Sequence, residues 1–65
     1  MTSEEAKKAL HSRVPVVCGE IEYKCISAII YRYDKRGKLL VSAELLDKRE
    51  QSVTIALIKD VKEKE

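Results

Sequence analysis

Tryptophan and phenylalanine are absent from this chain, and three tyrosines are its only aromatic residues. Any core must therefore be built mainly from Ile, Val, Leu and Ala. Cysteine is scarce as well: Cys18 and Cys25 are the only two, and His11 is the only histidine. Two cysteines cannot make a disulfide framework, and one histidine cannot organise a metal site. No cofactor is implied. No apolar run approaches the roughly 18 residues needed to cross a membrane. The N-terminus is charged and lacks the apolar stretch of a signal peptide, so a soluble, cytoplasmic protein is expected. Neither sign of charge dominates, with 13 basic and 11 acidic residues giving a net charge of +2. Dedicated nucleic-acid binders usually carry a larger basic excess.

What is present fits one domain. Sixty-five residues leave no room for a second core. A chain of this size buries only about 60% of its unfolded surface and is marginally stable alone. Disulfides, a metal or a partner chain usually supply the missing stability. The first two are not on offer here, so self-association is expected by elimination.

The strongest structural signal is a pair of apolar-rich stretches, residues 21–33 and 38–46, joined by Asp34-Lys35-Arg36-Gly37. A polar turn ending in glycine between two such runs predicts a β-hairpin. Upstream, residues 2–12 predict a short helix. Thr2 and Glu5 have capping-box spacing, and Ala6, Ala9 and Leu10 form a small apolar stripe. Val14-Pro15 then forces an extended chain. Residues 14–18 read as a first strand, at an edge because Pro15 cannot donate to a ladder. Gly19-Glu20 reads as a two-residue turn, which would set Cys18 opposite Ile21 and Cys25 opposite Val14. Alternation changes parity after Cys25, predicting a bulge or bend near residues 25–27. Asp47 anchors a second polar turn, and residues 52–58 form the last clear strand. Lys59-Asp60-Val61 reads as a 3₁₀ turn or one more strand residue, and residues 62–65 as a frayed tail.

The fold class is therefore mainly β: a helix over 2–12 followed by a β meander over 14–61 with about five antiparallel strands. A bent second strand suggests a small SH3-like barrel or strongly bent sheet, with a helix on an open antiparallel sheet as the alternative. Four stretches carry a resemblance: Pro15-Val16-Val17-Cys18-Gly19-Glu20-Ile21-Glu22-Tyr23, Ile26-Ser27-Ala28-Ile29-Ile30-Tyr31-Arg32, Ala43-Glu44-Leu45-Leu46-Asp47-Lys48, and Ser52-Val53-Thr54-Ile55-Ala56. In these the chain resembles small uncharacterised SH3-like barrel proteins carried by phages and other mobile elements of Gram-positive bacteria. The likeness runs from about Lys7 to Val61 and rests on alternations and turns. It implies a small barrel-like accessory protein and brings no activity or site residues with it.

Candidate chemistry is sparse. Cys18 and Cys25 have neither redox-motif nor zinc-ligand spacing, and read as buried or half-buried free thiols. His11 falls near the helix end, where the dipole favours an imidazolium. No nucleophile or orienting group accompanies it. Glu20, Glu22 and Glu44 fall on solvent-facing strand positions, and so small a chain offers little room for a closed cleft. An enzyme is not expected.

The central turn is different. Tyr31, Arg32, Tyr33, Lys35, Arg36 and Lys38 place two aromatics and four cations around one hairpin tip, with only Asp34 opposing. Such a tip is ordinarily a solvated surface with tyrosines packed inward. It also has the elements of a single-strand nucleic-acid platform, or of a protein-docking tip. Lys48-Arg49 occupies the next turn, at the other end of the shared strand, which argues against one continuous phosphate groove. Ile29-Ile30, Leu39-Leu40 and Leu45-Leu46 put apolar side chains on both sheet faces, and one of those faces needs the helix or another chain to cover it. The expected function is a non-enzymatic binding or assembly module contacting protein, itself included. Nucleic-acid binding at the tip is the alternative.

Overall fold

A computed structural model of the chain describes residues 1–64. One α-helix, α1 (Ser3–Ser12), precedes six strands: β1 (Val16–Cys18), β2 (Ile21–Tyr23), β3 (Cys25–Tyr33), β4 (Leu39–Leu46), β5 (Val53–Leu57) and β6 (Val61–Glu63). A 3₁₀ turn, Ile58–Asp60, separates the last two. The strands form two antiparallel three-stranded sheets, ordered β2-β1-β6 and β3-β4-β5. Among the described residues no ladder joins the sheets into a closed barrel.

The helix starts where the sequence predicts. The Glu5 amide donates to Thr2 Oγ1 at 3.1 Å while the Thr2 amide donates to Glu5 Oε1 at 2.9 Å, satisfying two amides that helix geometry leaves unpaired. Hydrogen bonding to Thr2 holds the Glu5 carboxyl below its ordinary pKa. α1 stops at Arg13, which adopts the left-handed conformation (φ 54°) and donates its amide to the Ala9 carbonyl at 2.9 Å. The Met1 nitrogen donates to the carbonyls of Ile58 (2.8 Å) and Val61 (3.1 Å), tying the helix start to the 3₁₀ turn.

The sheets meet at a corner of a single residue, Lys24. Its amide donates to the Leu46 carbonyl at 2.9 Å as the chain leaves β2 for β3. Three residues on, the register slips between Ile26 and Ala28, leaving Ser27 unpaired on the ladder. This is the bulge that the change of parity predicts. It lets both Ile26 and Ile29 face the core: Ile26 is buried and Ile29 packs against the buried cluster.

That core lies between the helix and the two sheets. Ala6 and Ala9 of α1 meet Val16, Tyr23, Ile26, Ala43, Leu45, Ile58 and Val61, and among the described residues no polar or charged residue is buried with them. Small residues at 6 and 9 let the helix backbone approach the sheet closely.

Four details depart from expectation. There are six strands rather than about five, because the tail adds β6; the bend in the second expected strand is a break at Lys24, between β2 and β3. β1 begins at Val16 rather than Val14, since Pro15 has no amide for the ladder. Cys18 does face Ile21, but Cys25 faces Leu46 rather than Val14, because the corner has carried it into the second sheet. Residues 62–64 are ordered and not frayed: Val17 pairs with Lys62, Val16 with Glu63, and the Lys64 amide donates to the Pro15 carbonyl at 3.0 Å. Alternating charges read as a solvated tail, yet backbone pairing is indifferent to outward side chains, and fully buried Val61 anchors the segment. Residue 65 lies outside the described residues.

Candidate functional site

The hairpin tip is built by Asp34. Its Oδ1 accepts from the amides of Arg36 (2.8 Å) and Lys38 (2.9 Å), and its carbonyl accepts from Gly37 at 3.0 Å. Gly37 takes φ 78°, a value that glycine adopts without a Cβ penalty. The one acid of the tip is thus committed to its own backbone and leaves the neighbouring cations uncompensated. Among the described residues, Arg32, Lys35, Arg36 and Lys38 make no ion pair.

The ladder divides the six candidate residues. Tyr31 pairs with Val41 and Tyr33 with Leu39 on one face, while Arg32 pairs with Leu40 on the other. Lys35 and Arg36 lie in the turn and Lys38 just precedes β4. The tyrosines do not pack inward as the ordinary reading of such a tip has it: Tyr31 is 49% exposed and Tyr33 71%. They stand where the hairpin projects past the core, and Tyr23 alone of the three is buried. One face of the tip is therefore aromatic and apolar, with cations at its rim.

The other basic turn is separate and differently employed. It follows β4 at the end opposite the tip, and an eight-residue strand spans roughly 24 Å. Asp47 braces it, accepting at Oδ1 from the Gln51 amide (3.0 Å) and at Oδ2 from the Ser52 hydroxyl (3.1 Å). The Gln51 amide, before the other donors, holds the Asp47 carboxyl below its usual pKa. Lys48 stands 3.1 Å from Glu22, which also receives Lys64 at 2.6 Å. Lys48 is occupied in joining the turn to the first sheet.

A second surface is larger. On the inner parity of the second sheet, Ile26, Ile29, Val41, Ala43, Leu45 and Ala56 pack in or against the core. Residues on the outer parity run in cross-strand rows: Cys25-Leu46-Val53, Ala28-Glu44-Ile55 and Ile30-Ser42-Leu57, closed by Arg32-Leu40. Ala28, Ile30, Leu40, Leu46, Val53, Ile55 and Leu57 all lie outside the buried cluster and its packed neighbours. Val53 is 49% and Ile55 52% exposed. The polar residues in this field are modest: Ser42, and Glu44, whose Oε1 accepts the Ser27 hydroxyl at 2.8 Å. The doublets Ile29-Ile30, Leu39-Leu40 and Leu45-Leu46 foretell two apolar faces, but the part played by β5 was missed. Its signal is the absence of any charge from Ser52 to Ile58.

Little else converges. Cys18 is a half-buried free thiol and Cys25 a buried one. His11 is exposed in the last turn of α1. Among the described residues no three His, Cys, Asp or Glu side chains gather as metal ligands, and no helix is long and apolar enough to cross a membrane.

Compared with known protein families, curated proteins and solved structures, the chain matches none.

Proposed function

We propose that this protein is a non-enzymatic assembly module that contacts protein, itself included, through the outer face of β3-β4-β5 and the β5 edge where that face ends. One observation carries the reading. Three rows of mostly apolar side chains lie on the face turned away from helix and core, outside the buried cluster, and at the β5 end of that face Val53 and Ile55 are about half exposed. Three strands at ~4.8 Å and about six residues at ~3.4 Å make a flat footprint of roughly 300 Å². Apolar patches of that order are the largest an ordinary monomer shows, and they often mark contact sites. Light scattering of the wild type against Ile55→Lys tests the proposal. The wild type gains mass with concentration and the variant stays monomeric; a wild type that remains monomeric throughout overturns it.

Nucleic-acid binding at the tip is the second reading, favoured by the exposure of Tyr31 and Tyr33 beside Arg32, Lys35, Arg36 and Lys38. It ranks lower because Lys48 is held by Glu22 and the tip cations stand alone. A strand bent at Lys24, three meandering strands, a 3₁₀ turn and a last strand returning to β1 support reading the two sheets as an opened SH3-like barrel of a cytoplasmic accessory protein.

A further inference from the structure

The two sheets have four edges, and natural edges are blunted by charge, shortness, proline or bulges. β2 has three residues, among them Glu22, and β6 has three, two of them charged. β3 is bulged at Ser27 and carries Arg32. β5, Val53-Thr54-Ile55-Ala56-Leu57, has none of these protections. It is uncharged, regular in register and rich in β-branched residues, the composition that protected edges avoid.

Its hydrogen-bond phase is defined. The Asp47 amide donates to the Ser52 carbonyl at 3.1 Å, so residue 52 directs its main chain at β4. In an antiparallel ladder that direction alternates, so Thr54 and Ala56 share it. The N–H and C=O groups of Val53, Ile55 and Leu57 consequently point away from β4, to the open edge. These same residues carry the outer-face side chains, of which Val53 and Ile55 are exposed and Leu57 is half-buried.

We infer that β5 pairs antiparallel with β5 of a second copy across a two-fold axis at Ile55, joining the two outer faces into one six-stranded apolar surface; this rests on the assembly reading above. Ile55 then exchanges both backbone hydrogen bonds with Ile55 of the partner subunit, and Val53 does so with the partner's Leu57. Each cross-strand neighbour on the outer face is aliphatic against aliphatic. Beyond the strand ends the same register sets Gln51 opposite the partner's Lys59 and Arg49 one position along from the residue opposite the partner's Asp60; among the described residues neither Arg49 nor Asp60 has an ion-pair partner in its own chain. Glu50, which would oppose the partner's Asp60 unfavourably, is turned back to Lys24 at 2.7 Å. The operation is isologous, so the assembly closes at two copies and does not extend into a fibre.

Size sets the strength. Five strand residues span about 17 Å, which places the contact below the standard interface of ~800 Å² per partner. The dimer is therefore weak and reversible, with a dissociation constant in the micromolar range or above.

Four variants test this beside the wild type. Ile55→Cys, in a Cys18→Ser, Cys25→Ala background, sets two thiols on α-carbons ~5.5 Å apart, inside the range that a disulfide spans. It crosslinks under mild oxidation, while Lys35→Cys in the same background does not. Ile55→Pro removes an outward amide without touching a β4 bond and gives a monomer by light scattering. Ile30→Glu, on the same face but away from the edge, leaves the dimer intact. Loss of association in Ile30→Glu, with no crosslink from Ile55→Cys, overturns edge pairing and leaves the assembly reading standing with face-to-face packing. Absence of any association in the wild type overturns both.

Discussion

Lys64 Nζ stands 2.6 Å from Glu22 Oε1, so the last part of the chain is held to β2 by a side chain as well as to β1 by its backbone. Lys48 approaches the other carboxylate oxygen at 3.1 Å. Hydrogen bonding from Lys64 first, and from Lys48 second, holds the Glu22 carboxyl below its ordinary pKa of 4.5.

A depressed folded-state pKa makes the ionised form the one that folding favours, so its contribution is present above pH 4.5 and is lost as the pH falls below it. Glu5 and Asp47 are shifted in the same direction and add to the same acid limb. The groups are exposed and screened, so each effect is small and falls with salt. Urea midpoints of wild type and Glu22→Gln should differ near neutrality and converge at acid pH. A gap that persists unchanged to pH 3, on the order of a unit and more below the ordinary carboxylate range, means that Glu22 acts through packing and not through its charge.

Among the described residues, two other than glycine occupy the left-handed region, Arg13 at φ 54° and Glu50 at φ 57°. For an L-residue that conformation costs roughly 1–2 kcal/mol, and glycine returns about 0.5–1 kcal/mol of it as unfolded-state entropy. Arg13→Gly at the helix end is therefore expected to stabilise by about 0.5–1 kcal/mol, raising the thermal midpoint by several degrees in so small a domain. Glu50→Gly gains less, because it also gives up the ion pair to Lys24. Calorimetry that finds Arg13→Gly destabilising shows that the Arg13 side chain is worth more than its backbone strain.

Leu45 and Leu46 are sequence neighbours on opposite faces, the first fully buried in the core and the second half-buried outside it. A buried Leu→Ala change costs about 2–5 kcal/mol, against a total of roughly 3–10 kcal/mol for a domain of this length. Leu45→Ala should abolish or nearly abolish folding. Leu46→Ala should cost well under half as much. Far-UV circular dichroism with chemical denaturation separates the two, and equal losses would mean that the outer face is packed after all.

That pair also shows what was legible in the sequence. The Leu45-Leu46 doublet announced two apolar faces, and the change of parity at Cys25 announced the bulge at Ser27, because both are matters of side-chain period. The capping box at Thr2 and Glu5 was readable for the same local reason. The return of residues 61–63 to β1 was not, since it depends on backbone groups left free 43 residues earlier, as the Cys18–Val61 register shows. Nor was the exposure of Tyr31 and Tyr33, because alternation assigns a face but not the point where a hairpin outruns its core. The unprotected edge of β5 became visible only when strand order made β5 an edge.

The tip offers the last test, because its four cations invite binding to a polyanion at low salt. Each phosphate neutralised on a single strand contributes about −0.7 to the slope of log affinity against log salt, so four cations acting together give at most roughly −3. Ionic contacts of that number on a convex hairpin fade near physiological salt, and the assembly reading expects that result for a fluorescent oligonucleotide titrated in rising chloride. Arg36→Ala with Lys38→Ala should remove about half of the slope, and Tyr33→Ala should leave it unchanged. Binding that survives physiological salt and weakens tenfold or more in Tyr33→Ala, the scale of one base stacked on an aromatic ring, would instead make the tip a nucleic-acid platform and the second reading the right one.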